Sequence, residues 1–365
     1  PDESRTFGME GLFRQLGIWN QEGQKYTPQD HDQLMFYKED KSGQVLQEGI
    51  NEAGAMCDWI AAATAYSTHN VQMIPFYIFY SMFGFQRIGD LCWAAGDMRA
   101  RGFLVGGTAG RTTLNGEGLQ HEDGHSHLWS GAIPNCISYD PTFAYEIAVI
   151  VQDGMRRMYQ EQEDVYYYLT VMNENYAHPA LPAGQEANII KGMYPFRVNG
   201  NAHVRLLGSG TIFNEVIAAA ELLKNDWNVD SDLYSCPSFI ELARDGSAAE
   251  RTNMLNPTAP RVVSHVEQML AGSTAPVIAS TDYVRAVPEQ IRAFVPARYT
   301  VLGTDGFGRS DTREKLRHFF EVNRYWVVVA SLKALADQGT ITHDVVAQAI
   351  AKYNLDVNKP NPMTV

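Results

Sequence analysis

Residues 73–108 read MIPFYIFYSMFGFQRIGDLCWAAGDMRARGFLVGGT. The aromatic run that ends at Tyr80 predicts a buried strand, and the 3.6-residue spacing of apolar positions over 82–99 predicts an amphipathic helix. The apolar run 103–108 predicts another strand that leads into a glycine-rich loop. A strand, a helix and a second strand in this order are typical of a parallel sheet flanked by helices, so the stretch predicts an α/β fold.

The same alternation continues to the end of the chain and divides it in two. Strands are predicted at 43–50, 135–141, 165–174, 204–210, 232–236, 276–281 and 300–306. Helices are predicted from Asn51 onward and at 142–160, 212–226, 314–320, 326–339 and 343–354. The segment HPALPAGQE, residues 178–186, interrupts this pattern with two prolines and a glycine. We therefore predict two domains, residues 1–182 and 183–365, each a largely parallel sheet flanked by helices.

Composition narrows the class of protein. A net charge of −13 argues against nucleic acid as a partner, because phosphate contacts need a positive face. No window is apolar over the 18 or so residues that a membrane span needs. The first residues, PDESRTFGME, have no signal-peptide pattern and no initiator methionine, which indicates a processed or truncated start. The four cysteines are scattered without a CxxC pair, which favours reduced thiols in a cytoplasmic protein.

Glu52 is the first candidate for chemistry. It lies in the first turn of a predicted helix, just after the strand-like run 43–50. An acidic side chain there can simply offset the helix dipole. It can equally be a ligand-binding carboxylate at the carboxyl end of a strand, where α/β sheets bind their ligands. The position leaves both interpretations open.

The end of the aromatic strand offers a second candidate. Most aromatic side chains in this run are expected to pack in the core. Tyr80 and Phe83 stand where the strand passes into the helix, and an aromatic pair there could hold a flat heterocycle. Arg87 follows one turn later, as part of either the same site or an ordinary surface ion pair.

The loop GEGLQHEDGHSH, residues 116–127, holds three histidines among glycines and carboxylates. His121, His125 and His127 could bind a metal, but the glycines argue against the helical HExxH arrangement. The loop could also be a plain polar surface loop. The remaining interpretation is an active-site loop whose histidines move protons.

Several long motifs resemble one enzyme family. These are FGMEGLFRQLGI (7–18), LQEGINEAGAM (46–56), IPFYIFYSMFGFQRIGDLCWAAGD (74–97), TTLNGEGLQHEDGHSH (112–127) and VLGTDGFGRSDTRE (301–314). They resemble the bacterial homodimeric pyruvate dehydrogenase, the first component of the pyruvate dehydrogenase complex. The resemblance implies the transketolase-like pyrimidine-binding domain, whose start is truncated here, followed by the C-terminal domain. The GDG…N motif that binds diphosphate and Mg²⁺ in the family is absent.

The resemblance also implies roles for individual residues around the cofactor. Glu52 matches the glutamate that hydrogen-bonds a ring nitrogen of the aminopyrimidine and favours its imino form. Phe83 matches an aromatic residue that packs on the pyrimidine, and Tyr80 matches a tyrosine near the carboxylate of the substrate. Arg87 matches an arginine that links the two active sites of the dimer.

Four further matches lie at the active centre. Asp2 and Glu3 match an acidic pair, which implies a cofactor contact for Asp2 and a catalytic role for Glu3. His121 matches a histidine that contacts the substrate, and Glu117 matches a member of the charged network between active sites. His125 and His127 receive no role from the resemblance, and no metal ligand is implied in this chain.

The implied function is oxidative decarboxylation of pyruvate with thiamine diphosphate and Mg²⁺. The partners that the resemblance implies are the lipoyl domain of dihydrolipoamide acetyltransferase and a second copy of the protein. Both cofactors need a domain that is absent here, so activity of this chain alone is not expected. Two alternatives stay open: a non-catalytic dimerisation or docking module, and a metal-dependent hydrolase built on His121, His125 and His127.

Overall fold

The computed structural model describes residues 11–29, 31 and 37–365. The described part begins with a short helix, α1 (Gly11–Leu16), and two two-residue strands, β1 (Ile18–Trp19) and β2 (Glu39–Asp40), which pair in parallel. The predicted strand at 43–50 is wrong, because only Val45 of that run forms a bridge, to Ile18. Asp2 and Glu3 lie outside the described residues.

The first sheet has four parallel strands in the order β3–β4–β6–β5. In chain order its elements are α2 (Glu52–Thr68), β3 (Phe76–Tyr80), α3 (Gly84–Asp97), β4 (Phe103–Gly107), α4 (Ser126–Ala132), β5 (Cys136–Tyr139), α5 (Ala144–Met155) and β6 (Tyr166–Thr170). A π-helical turn, Arg156–Gln160, extends α5. Parallel neighbours cannot be joined by tight turns, so longer connections, several of them helical, join the strands and cover the sheet.

The second sheet has five strands in the order β11–β10–β8–β9–β7, and only β7 is antiparallel to its neighbour. Its elements are α6 (Glu186–Ile190), β7 (Tyr194–Arg197), β8 (Val204–Gly208), α7 (Ile212–Trp227), β9 (Ser231–Ser235), α8 (Phe239–Leu255), α9 (His265–Met269), β10 (Val277–Ser280), α10 (Ala286–Glu289), β11 (Tyr299–Leu302), α11 (Arg313–Phe319), α12 (Arg324–Asp337) and α13 (His343–Lys352). The predicted class, two largely parallel sheets flanked by helices, is confirmed.

Strand β3 differs from its prediction as a buried strand. Phe79 is buried, whereas Phe76 is half exposed and the other three residues are only partly buried. The reason is the position of β3 at the edge of the sheet, where it pairs with β4 alone. The helix that follows agrees with its prediction as an amphipathic helix, since its residues Phe85, Ile88 and Cys92 pack in the core.

The two sheets meet through the carboxyl ends of their strands. Asp140 follows β5, and its Oδ2 accepts a hydrogen bond of 2.7 Å from Oγ of Ser209, which follows β8. Asp282 follows β10, and its Oδ1 accepts a bond of 2.8 Å from the backbone N–H of Thr112, in the loop after β4. The α/β sheets of other proteins bind ligands at the carboxyl ends of their strands. Here the contact between the two sheets covers part of that edge, so only the rest of it is accessible to a ligand.

Two further predictions from the sequence concern the cysteine thiols and membrane-spanning segments. All four cysteines are free thiols; Cys92, Cys136 and Cys236 are buried and Cys57 is exposed. No helix in the described ranges is long and apolar enough to cross a membrane.

Candidate active site

Glu52 occupies the first turn of α2, which Asn51 caps by accepting a hydrogen bond from the N–H of Gly54 at 3.1 Å. Its carboxylate Oε1 accepts a bond of 2.8 Å from Nη1 of Arg87, on α3. The second oxygen, Oε2, accepts no hydrogen bond from any described residue. The side chain is 17% exposed, so this carboxylate is held by one ion pair and remains open on its other side.

Three aromatic rings meet beside this ion pair. The rings of Tyr80 and Phe83 lie 5.5 and 5.0 Å from the imidazole of His121, between ring centres. Tyr80 and Phe83 are themselves 6.0 Å apart and nearly perpendicular. The guanidinium of Arg87 lies 4.2 Å from the centre of the Phe83 ring, so it contacts both Phe83 and Glu52. Edge-to-face rings and a cation over a ring are favourable arrangements.

The imidazole of His121 has an unused nitrogen. Its Nδ1 is buried but has no hydrogen-bond partner among the described residues. The closest carboxylate oxygen, Oε2 of Glu117, is 3.7 Å away, which is too far for a hydrogen bond. A buried polar atom without a partner costs free energy unless a ligand or water supplies the bond.

These contacts bring together six of the residues that the sequence singled out: Glu52, Tyr80, Phe83, Arg87, Glu117 and His121. They come from α2, the end of β3, the start of α3 and the loop after β4. All therefore lie at the carboxyl edge of the first sheet, on the side of its edge strand β3. The other two predicted residues, Asp2 and Glu3, cannot be placed because they lie outside the described residues.

The other two histidines of the loop have different surroundings. His127 is buried, and hydrogen bonds link its Nδ1 to Oγ of Ser138 at 2.8 Å and its Nε2 to Oγ1 of Thr170 at 3.0 Å. Burial lowers the pKa of His127 to about 4, so the ring is neutral near pH 7. His125 packs edge-on against Trp129, with 5.1 Å between ring centres, and burial lowers its pKa as well.

The three histidines therefore do not converge on one point. Across residues 11–29, 31 and 37–365, no three His, Cys, Asp or Glu side chains are grouped so that they could hold a metal ion. The hydrolase alternative needs such a group as its metal ligands. The geometry consequently gives no support to a metal-dependent hydrolase at this loop.

The sequence interpretation missed a set of buried charges between the site and the second sheet. Asp123 caps α4, since its Oδ1 accepts bonds of 2.9 Å from the N–H groups of His125 and Ser126. Arg111 donates from Nη1 to the carbonyl oxygen of Thr304 at 2.9 Å and also to that of Gly306. The sequence signal was the density of charges near glycines, but the partners of Arg111 are almost 200 residues away in the chain.

Two family models match the chain. The model described as "Pyruvate dehydrogenase E1 component middle domain" matches residues 1–179, and the model described as "Transketolase-like TK C-terminal domain" matches residues 192–323. Among curated relatives, the pyruvate dehydrogenase E1 component of Cupriavidus necator is 77% identical over 369 residues. Those of Pseudomonas aeruginosa and Escherichia coli K12 are 65% and 62% identical. The chain aligns over 99–100% of its own length but spans only 41–42% of theirs.

Solved structures agree on the fold. Transketolase from Leishmania mexicana superposes with a TM-score of 0.61 at 17% identity, over 80% of this chain and 38% of that chain. A structure described as "Split gene transketolase, inactive beta4 tetramer" has a TM-score of 0.58 at 14% identity, over 92% of this chain and 98% of that chain. The fold is thus transketolase-like. The two family models and the high identity to these relatives show that the chain belongs to the pyruvate dehydrogenase E1 component family and corresponds to its middle and C-terminal domains.

Proposed function

We propose that this chain provides the pyrimidine-binding half of a thiamine-diphosphate site in a pyruvate dehydrogenase. The whole protein would decarboxylate pyruvate oxidatively and pass the acetyl group to the lipoyl group of dihydrolipoamide acetyltransferase in the cytoplasm. The observation that carries the proposal is the convergence of Glu52, Tyr80, Phe83 and His121 at one accessible sheet edge. Since the chain spans about 41% of its relatives, the activity belongs to the complete protein.

The residues present suit an aminopyrimidine. A flat, polar heterocycle needs an apolar face and hydrogen-bonding groups at its edge. Phe83 and Tyr80 offer aromatic surface, and Glu52 Oε2 is open to a ring nitrogen. Mg²⁺, which would bind together with the diphosphate, needs oxygen ligands, and no group that could hold a metal ion is formed among the described residues. We assign the contacts to the diphosphate and Mg²⁺ to the diphosphate-binding domain outside this chain, in a homodimer whose two sites lie at the subunit interface.

When bound, thiamine diphosphate would supply the electron sink for decarboxylation. Glu52 would hold a proton against the ring nitrogen through Oε2, while its Oε1 stays paired with Arg87. His121 would offer its unpaired Nδ1 to an oxygen of the substrate, and Oε2 of Glu117, 3.7 Å from the same nitrogen, would add a negative charge beside it. Tyr80 would limit the space for the substrate carboxylate and exclude water, and Asp2 and Glu3 would add acidic groups at the same centre.

The test is Glu52→Gln in the complete protein. We expect pyruvate turnover to fall by about 10²-fold or more, because an amide cannot exchange a proton with the ring nitrogen. Glu186→Gln is the matched control, since Glu186 is also an acidic residue in the first turn of a helix, α6. If Glu52 only offsets a helix dipole, both variants will have near-normal turnover, and the proposal fails.

A second candidate function, for the isolated chain, is self-association without catalysis. The present chain covers 98% of the split-gene transketolase chain, whose structure is described as an inactive tetramer. We propose that the isolated 365-residue chain likewise assembles into oligomers and has no turnover. Sedimentation velocity and titration with thiamine diphosphate and Mg²⁺ test this; a monomer, or saturable turnover of pyruvate, would contradict it.

A further inference from the structure

The second sheet contributes a segment that lies directly against the loop carrying His121. We call residues 109–125, between β4 and α4, the His121 loop, and residues 303–311, after β11, the platform segment. Hydrogen bonds join the two at three places along their length. The N–H of Gly116 donates to the carbonyl of Asp311 at 3.1 Å, the N–H of Arg309 donates to Oε2 of Glu122 at 2.7 Å, and Nη1 of Arg111 donates to the carbonyl of Thr304 at 2.9 Å.

Gly308 marks the point of closest approach. A Cβ atom added there would overlap the carbonyl oxygen of Leu119 and would stand 3.0 Å from Cβ and Oε2 of Glu122. Leu119 and His121 are the ends of one three-residue 3₁₀ turn. Only glycine therefore lets the platform segment touch the turn that presents the imidazole.

Glu122, the residue after His121, is the anchor of this contact. It is completely buried and forms no ion pair with any described residue. Its Oε2 accepts the bond from Arg309, whereas its Oε1 is buried without a partner. Burial raises its pKa to about 8, so the carboxyl group is mostly neutral at pH 7. The carboxyl group of Glu122 thus ties the backbone next to His121 to the platform segment.

We propose that the platform segment positions His121 for the reaction, with Gly308 and Glu122 as the positioning residues. The C-terminal domain would then act on the active site without contacting substrate, by holding the 3₁₀ turn so that the imidazole lies against Tyr80 and Phe83. The role of His121 in the reaction rests on the proposed function, whereas the contact between the platform segment and the His121 loop does not. This assigns a part in the reaction to a domain that holds none of the site residues predicted from the sequence.

The experiment uses the complete protein with Gly308→Ala. We expect kcat for pyruvate to fall about tenfold or more, while KM changes by less than about threefold, because misplaced groups mainly cost transition-state stabilisation. Hydrogen–deuterium exchange in peptides from the His121 loop should become about tenfold faster or more, which reports the loosened contact independently of activity.

A second pair of variants tests the same contact without adding bulk at the glycine. Glu122→Leu removes the acceptor for the N–H of Arg309 and should also lower kcat and loop protection. Glu122→Gln keeps an oxygen there and should restore kcat to within about threefold of the unsubstituted protein. If Gln is as harmful as Leu, the acceptor is irrelevant and the proposal is overturned.

Arg244→Met is the matched control for a general loosening between the domains. Arg244, on α8, donates to the carbonyls of Gly131, Ile133 and Cys136, away from the His121 loop. It should lower the melting temperature and leave kcat and loop exchange unchanged. An equal loss of kcat in Arg244→Met, or unchanged kcat and exchange in Gly308→Ala, would overturn the proposal. If the unsubstituted protein does not turn over pyruvate, the proposed function fails, and loop exchange alone decides whether the contact holds the loop.

Discussion

The carboxyl edge of the first sheet has an open half at β3 and β4 and a closed half at β5 and β6, and each half has a glutamate at the start of a helix. In the open half, Glu52 makes one ion pair and keeps an oxygen without a described partner. In the closed half, Glu146 is fully buried and both oxygens are used. Its Oε1 accepts bonds of 2.7 Å from Tyr194 and Ser235, and its Oε2 accepts the N–H groups of Thr142 and Phe143.

The difference shows how one kind of edge can serve two purposes. A carboxylate whose acceptor positions are all filled from within the chain stabilises the structure and has nothing left for a ligand. A carboxylate that keeps one acceptor oxygen free, beside partly exposed aromatic rings and an unpaired imidazole nitrogen, can bind a ligand. The second sheet covers the closed half, whereas in the open half it contacts the loop after β4 and leaves the residues around the end of β3 accessible.

Glu146→Leu should give the largest effect on stability. It removes the acceptor for four hydrogen bonds and leaves buried donors unpaired, so we expect the free energy of unfolding to fall by about 4 kcal/mol. Urea unfolding of the 365-residue chain measures this. Glu52→Gln, in the open half, should change the same quantity by less than about 0.5 kcal/mol. Equal losses in the two variants would remove the distinction between the halves.

Asp140, also in the closed half, should make stability depend on pH. Burial raises its pKa to about 7, against hydrogen bonds from Ser209 and Thr170 that lower it. Since the folded-state pKa is above the unfolded one, the folded protein binds this proton more tightly, and stability falls as the pH rises from about 4, the unfolded pKa, to about 7. This single group should lower the free energy of unfolding by about 3 kcal/mol between about pH 5 and pH 8.

The measurement is urea unfolding at several pH values, with Asp140→Asn as the comparison. The Asn variant cannot ionise, so its stability should fall less steeply over this range. Glu122, whose pKa burial raises to about 8, has the same sign and will leave part of the slope in place. A slope unchanged in Asp140→Asn would show that this carboxyl group does not titrate in the range.

Phe83→Ala tests the open half of the sheet edge. The ring is partly exposed and contacts His121, Tyr80 and Arg87, so its loss should lower kcat/KM about tenfold with little change in stability. Phe79→Ala is the matched control, because Phe79 is buried in the core of the same strand–helix unit and its loss should lower stability. If Phe83→Ala destabilises the protein as much as Phe79→Ala, its ring is a core residue.

The fold was predictable where local patterns are strong. Strands β4, β6 and β8 coincide with predicted apolar runs, and helices α3, α7 and α12 lie close to the predicted helices. Helix α8 was missed because its buried residues lie mostly in its first half, and the second half, which is rich in polar side chains, has no apolar stripe. Strand β7 was missed because Pro195 interrupts a four-residue run, which is tolerated only at a sheet edge.

The site was predictable only residue by residue. The resemblance named Glu52, Tyr80, Phe83, Arg87, Glu117 and His121, and the fold brings them together, but their roles remain predictions. The contact of Gly308 with Leu119 joins residues 189 positions apart. No local pattern contains such a contact, because it depends on how two sheets meet. The importance of Glu122 was hidden for the same reason, since its burial comes from the second sheet.

The smallest expected effect tests what holds Glu52 in place. The hydroxyl of Tyr77 donates to the main-chain carbonyl of Glu52 at 3.4 Å, near the limit for a hydrogen bond. Burial raises the pKa of Tyr77, so the hydroxyl stays protonated at any working pH. Tyr77→Phe should therefore change kcat by less than about twofold, because Asn51 and the α2 backbone already fix this turn. Steady-state kinetics of the complete protein measure it. A tenfold loss would mean that the open carboxylate depends on the strand below it, and that the open half is held as tightly as the closed one.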